Sequence, residues 1–310
     1  MTNTNEAVES RNKKRRKKRS RFSEIWRRFR KNGIGVAGLV IILILIFTAI
    51  FADVIAPPIY DEGLQMYFPA YMHQNLRATN TFPADGFGIM GTDHLGRCIF
   101  SRVVHGARTS LLIGFVVVGI SMVIGVTLGT ISGYYGRFAD GFIMRVVDII
   151  MAIPNFLLAI SIVAALGPGL INVMIAVGIG SIPGFARQVR SSVISIREQE
   201  FIEAAKSIGA SNLRIMFRHI ITNSTAPIIV RATMGMAVAI LSAAALSFLG
   251  IGIEPPTPEW GAMLSQGRAF VLAGHWPSTV FPGLAIALVV FGLNMLGDGL
   301  RDALDPRLKR

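Results

Sequence analysis

Glu203 to Pro227 reads "EAAKSIGASNLRIMFRHIITNSTAP", a polar, helix-forming stretch with a single glycine. Upstream, Ile149 to Ala186 carries no Asp, Glu, Lys or Arg; downstream, Ala232 to Ile253 carries none either. About 20 apolar residues cross a hydrocarbon core of about 30 Å. The polar stretch therefore falls between membrane spans and belongs at one face of a bilayer.

The composition of the whole chain agrees. Its 310 residues are 52% hydrophobic and 16% charged, with a mean hydropathy of +0.54. Soluble domains carry about 25% charged residues. The net charge of +13 is placed by topology: residues 1–33 hold 13 of the 31 Lys and Arg, and most others lie between apolar runs. That pattern is the positive-inside signature rather than a nucleic-acid footprint.

Six spans follow from the uncharged runs. The first lies in Asn32–Ala52, read as a transmembrane segment over 34–56, too long for a signal-peptide core and followed by Pro57. A long polar connection, 57–108, leads to the second, Thr109–Gly136, whose Gly125, Gly129 and Gly133 form a small-residue ladder suited to close packing within the subunit. The third and fourth lie in 149–186, divided by Gly167-Pro168-Gly169, with a kink predicted at Pro154. Arg145 and Asp148, at i and i+3, are predicted to pair. The fifth has its uncharged run at 232–253, with Thr225 and Pro227 suiting its start, and the sixth lies within 269–297; a Pro-rich loop, 254–268, joins them, with Trp260 and Trp276 placed for an interface belt. These five later spans form a five-helix core over 109–300.

An even number of spans puts both termini on one side. The inner segments, 1–33, 134–145, 187–231 and 299–310, then hold 13, 2, 7 and 4 basic residues, and the outer side only Arg77, Arg97, Arg102, Arg108 and Arg268. The termini, including a tail at 301–310, are expected in the cytosol. The basic run 11–21 reads as a solvated tail or an anionic-lipid contact. In 21–31, Phe22, Ile25, Trp26 and Phe29 share one helical face, an interfacial helix or one packed on the first span.

Chemistry of its own is not in evidence. Cys98 is the one cysteine, and the five His form no metal-ligand spacing. There is no Walker GxxxxGK[ST], GxSxG or CxxC. The sequence predicts no catalytic, metal or cofactor-binding residues; nucleotide chemistry, if needed, falls to a partner. The quoted stretch, within a loop over 187–226, reads as helix, break, helix: Gly209 supplies a left-handed stop, and Ser211 caps a second helix. Ala204 and Ala205 would let another surface approach, and Glu203 could set register there. A loop that only caps the bundle fits the pattern equally.

The stretch resembles the EAA loop of membrane subunits of ABC importers, although Pro227 follows Thr225-Ala226 rather than the usual apolar close. "GTDHLGRCIFSRVVHGARTSL" (91–111) resembles the block before the second span in C-type permeases of dipeptide, oligopeptide and nickel importers, with Cys98 where an Asp is usual. "LSFLGIGIEPPTPEWGAML" (246–264) and "GDGLRDALDPRLKR" (297–310) extend the likeness across about 30–310. The resemblance implies an all-α membrane protein with six transmembrane helices, the type I ABC importer (MetI-like) permease fold. It implies a heterodimer with a second permease subunit, two ATP-binding subunits that hold ATP and Mg, and an extracytoplasmic binding protein, in a bacterial or archaeal cell membrane. Glu203, Ala204, Ala205 and Gly209 become the expected ATPase contact, and di- or oligopeptides the expected cargo. Nickel, glutathione or antimicrobial-peptide import remain alternatives. A secondary transporter is disfavoured by the uncharged spans, and a membrane enzyme by the lack of a convergent polar cluster.

Overall fold

A computed structural model describes residues 21–61, 66–86 and 88–305. The basic run 11–21 lies outside them but for the backbone of Arg21. Helix α1 (Arg21–Phe29) leads to α2 (Gly33–Ile50), which is capped by Asn32: its Oδ1 accepts from the Gly35 N–H at 3.0 Å. The Asn32 Nδ2 donates to Asp302 at 2.8 Å, on the last helix, α12 (Pro277–Leu304). Just above, the backbones of Gly35 and Gly299 meet; a Cβ on Gly35 would stand 2.8 Å from the Gly299 Cα. The beginning of α2 and the end of α12 thus share one face of the bundle, here the proximal face. Phe29 is buried against these two glycines while Trp26 stays exposed, so α1 packs on the first span by one ring. The side chain of Phe22 lies outside the described residues.

Five described helices are long and apolar enough to cross a membrane: α2, α4 (Ile99–Tyr135), α7 (Leu170–Arg197), α10 (Thr225–Phe248) and α12. Five crossings would leave Asn32 and Asp302 on opposite faces. The sixth is the pair α5 (Arg137–Ala152) and α6 (Asn155–Leu166), bent by 87°. At 1.5 Å per residue α6 alone reaches only about 18 Å, so this crossing is broken into two limbs. The sequence predicts a kink at Pro154, and the structure shows a full break. Proline cannot donate to the helix ladder and forces the residue before it out of helix; Ile153 is extended, with φ −92° and ψ 126°.

The most extensive helix pair is α4 with α7, and the glycine ladder makes it possible. A Cβ would fall 2.5 Å from the Phe185 Cβ at Gly125, 2.4 Å from the Ala186 carbonyl oxygen at Gly129, and 2.8 Å from the Val193 Cβ at Gly133. The ladder therefore packs within the subunit. Between α4, α6, α7 and α10, Val117, Val163, Val173 and Leu246 form one apolar core; Ile42, Leu111, Ile240 and Val289 form another around α2, α4, α10 and α12.

Four sequence expectations need correction. The second span begins at Ile99, not Thr109, because the Arg102, His105 and Arg108 turns are helical; 37 residues make about 55 Å of helix, longer than the bilayer core. The fifth begins at Thr225, the start that Thr225 and Pro227 suit, and Arg231, counted by charge on the polar side, therefore lies inside the span. Asp148 does not pair with Arg145; it accepts from Arg187 of α7 at 2.5 Å. Helical side chains lean toward the N-terminus, which carries an Arg at i away from an Asp at i+3. Finally, the 254–268 loop turns into α11 (Trp260–Val271), and Trp260 is only 1% exposed rather than part of a belt.

On the distal face, α3 (Ala52–Ile55) and a hairpin of β1 (Ile59–Asp61) and β2 (Met66–Phe68) precede a buried polar cluster. Asp93 Oδ2 accepts from Arg97 Nε at 2.8 Å and Arg102 Nη1 at 2.6 Å. Its Oδ1 accepts from the N–H groups of Leu95 and Arg97. Gln266 of α11 then accepts from both guanidinium groups, at 2.8 and 3.0 Å. Burial raises the Asp93 pKa, but Arg102 and Arg97 outweigh it and hold the carboxyl below its ordinary range. Glu259 caps α11 by accepting from the N–H groups of Gly261 and Ala262, both at 2.8 Å, and burial pushes its pKa up. The Trp260 indole donates to the Val103 carbonyl at 3.0 Å and lies on Gly106, where a Cβ would be 2.9 Å away.

Candidate functional site

At the proximal face α7 continues to Arg197, eleven residues beyond the uncharged run. Arg197 Nη1 donates to the carbonyls of Gly133 and Tyr134, at 3.2 and 3.1 Å, which α4 leaves open at its C-terminus. Two turns deeper Arg190 grips Asp140 of α5 with two bonds, 2.5 and 2.6 Å, and Ser132 of α4 donates to the same carboxylate. Three helices are thereby locked where the polar stretch begins.

That stretch forms α8 (Glu200–Ser207), with Glu200 and Glu203 in the first turn and Lys206 in the last, the order that suits the helix dipole. Gly209 ends it with φ +79°. The Ala210 N–H reaches the Ala205 carbonyl at 3.1 Å and the Gly209 N–H reaches Lys206 at 2.9 Å, a Schellman stop. Ser211 then caps α9 (Asn212–Arg214), accepting from the Arg214 N–H at 3.4 Å. The chain continues as a π-helical segment, Ile215–Ile221, before α10. The helix, break, helix order expected from the sequence is the order observed.

Faces decide what α8 can do. Ile202 is 0% and Ala205 6% exposed, and both join a proximal core with Tyr134, Val193, Ile215 and Ile220. Glu203 and Ala204 point outward. The two alanines therefore differ: Ala204 is presented, whereas Ala205 packs inward, one turn after Ile202. In the following segment Ile215, Met216 and Ile220 are buried, a spacing set by the wider π turn. Tyr134 fastens the unit from below: its hydroxyl donates to Asn212 Oδ1 at 2.7 Å, and the Lys206 ammonium sits 5.9 Å from its ring centroid.

Three large apolar residues stand on the open side. Ile208 is 85% exposed, and Leu213 and Phe217 are also exposed. Ile208 lines a recess of about 560 Å³ together with Ala205, Gly209, Arg214, Arg218 and His219. Large apolar side chains grouped on the solvent side of a polar loop mark a protein contact. Among the described residues no group of three or more His, Cys, Asp or Glu is placed to hold a metal ion. The arrangement offers a rigid, shaped knob rather than reactive groups.

A family model described as binding-protein-dependent transport system inner membrane component matches residues 125–310, and another, the N-terminal TM domain of oligopeptide transport permease C, matches residues 20–80. The chain is 50% identical to the dipeptide transport system permease protein DppC of Alkalihalophilus pseudofirmus over 94% of its length and 91% of the relative's. It is 43% identical to a di/tripeptide permease of Pseudomonas aeruginosa, over 94% and 93%. It is 49% identical to the glutathione transport system permease protein GsiD of Escherichia coli, over 94% and 92%. In fold it is similar to a chain of the inward-facing MetNI methionine ABC transporter, with a TM-score of 0.55, 18% identity, and coverage of 67% of this chain and 98% of that one.

Proposed function

This chain belongs to the binding-protein-dependent transport system inner membrane components, and from that premise we propose that it forms half of a translocation path for di- and oligopeptides. It is a multi-pass, membrane-embedded subunit of an ABC importer that works with ATPase subunits; it is a transport subunit and not an enzyme. In our reading a second, B-type permease completes the path and two ATP-binding subunits supply ATP and Mg. An extracytoplasmic binding protein delivers cargo. The proximal face, with both termini, is then cytoplasmic, in keeping with its basic residues, in a bacterial or archaeal cell membrane. Peptide cargo is supported by the dipeptide and di/tripeptide relatives; glutathione, itself a tripeptide, is the second reading, supported by the relatives so named.

The observation that carries the coupling role is the fixed, outward-facing α8 with its Schellman turn. Glu203 and Ala204 meet the ATPase, Ala205 sets the height of the helix from beneath, and Gly209 holds the turn that projects Ile208. A rigid element at the end of two spans transmits movement between subunits, as bistable packing requires. The test uses the complete transporter in a permease-deficient strain. Glu203→Lys and Gly209→Pro should reach the membrane at normal levels, reduce labelled-dipeptide uptake at least about tenfold, and sever ATP hydrolysis from the presence of loaded binding protein. Normal uptake by both variants would overturn the coupling role.

A further inference from the structure

Arg231 is the seventh residue of α10, about 9 Å into a span that is otherwise apolar. No carboxylate and no hydrogen-bond acceptor among the described residues engages its guanidinium. Its Nη2 tip abuts α7 at Gly184, where a Cβ would be 1.8 Å away. Its Cζ stands 5.7 Å from the Phe185 ring centroid. The glycine makes room for the cation and the ring supports it, yet its hydrogen-bonding capacity is unused. Ionisable residues within spans are rare and face bundle interiors or aqueous paths.

Its surroundings form such a path. Arg231 and Met234 line a recess of about 250 Å³ together with Asn155, Ser181 and Met151. The same two residues line a second recess, about 400 Å³, which reaches the proximal face at Gln188, Arg301 and Asp305. Arg231 is the charged group common to both, so its guanidinium stands where the two recesses adjoin. Asn155 opens α6 at the 87° break, which adds the positive end of that helix to the same recess. The recess shared with the proximal face falls within the roughly 300–1,000 Å³ of small-molecule sites.

We propose that Arg231 is a cargo-binding residue, taking the free α-carboxylate of a peptide as it moves from the deep recess toward the proximal face. This rests on the peptide reading above. A path that accepts many side chains can hold firmly only what all peptides share. Met151 and Met234 supply adaptable apolar contact for the variable part, and the guanidinium fork matches the constant carboxylate.

The experiment compares uptake of one labelled dipeptide as the free acid and as its C-terminal amide, by the complete transporter, at saturating binding protein. Arg231→Gln should lower free-acid uptake about tenfold or more, the range for a charge-assisted hydrogen bond, and leave amide uptake at its wild-type rate. Arg231→Lys should retain most free-acid uptake, and both variants should reach the membrane at the wild-type level. An equal loss for both cargo forms would overturn the proposal and point to a carboxylate of the second permease subunit as the partner. No loss for either would also overturn it. If the unmutated transporter takes up neither form, the peptide reading itself fails, and this inference with it.

Discussion

The two faces of the bundle treat polar residues in opposite ways. On the distal face Asp93, Arg97 and Arg102 turn their charges toward one another, almost wholly buried, with the half-buried Gln266 amide accepting from both arginines, and Trp260 packs on α4 nearby. On the proximal face α8 turns Glu203 and Ala204 outward, and Ile208, Leu213 and Phe217 stand in the open beside them. The first cluster finds its partners within its own chain, Arg102 Nε alone of the two guanidinium groups being buried without an acceptor among the described residues, and fixes the geometry of helix ends. The second is firmly held from beneath and incomplete above, as a contact for another subunit should be. A polar motif can thus be a clamp or a handle, and burial with partners tells which.

The strongest way to break this contrast is to open the clamp. Asp93→Ala leaves two buried guanidinium groups without their counter-ion, and losing one partner of a buried ion pair costs about 3–5 kcal/mol. Thermal unfolding of the assembled transporter should move sharply downward. The pH sign follows from the lowered Asp93 pKa: its stabilisation is full above the ordinary carboxylate range and lost only as pH falls through the lower folded value. Wild-type stability should therefore gain nothing from raising the pH above mild acidity on account of this group. An Asp93→Ala transporter with unchanged thermal stability would show that the cluster is not a clamp.

The neighbouring alanines of α8 test the handle more finely. Ala205→Leu inserts volume into the proximal core beside Ile202 and Ile220 and should cost about 1–3 kcal/mol. Ala204→Leu adds the same atoms on the outer side and should change stability by no more than about 0.5 kcal/mol. It should nonetheless weaken the response of ATP hydrolysis to loaded binding protein. Paired melting and ATPase measurements separate the two effects; equal melting shifts would mean that α8 has no inner and outer side.

Much of this was legible in the sequence because membranes enforce simple rules. Uncharged runs located the spans, and the glycine ladder, Gly209 and Ser211 each did what their local chemistry dictates. What escaped depended on distant parts of the chain. Arg102 and Arg231 ended apolar runs in one dimension, yet both are helical in three: one is neutralised by Asp93, the other rests on Gly184. Trp260 looked like a belt residue because nothing local reveals that Gly106 leaves a space for it. At α8 the period of the helix could not say which alanine faces inward, since that depends on Tyr134 and Val193 beneath it.

Cys98 gives the smallest test and the one closest to the sequence pattern. It is the N-cap of α4, with φ −64° and ψ 115°, and its side chain makes no capping bond. An acidic residue, usual at this position by the resemblance noted above, would accept from the open N–H groups of the first turn and favour the positive helix end. Cys98→Asp should therefore stabilise the transporter by about 1 kcal/mol, read as a modest rise in melting temperature, with uptake unchanged. The gain has a limit set by the clamp: Asp93 already occupies Arg97 and Arg102, so the new carboxylate has only backbone donors to engage. Combining Cys98→Asp with Asp93→Ala then separates the two roles. If the new acid restored most of the lost stability, it would have taken over the arginines; if it added only its own small increment, capping and clamping are independent, as the bond pattern requires.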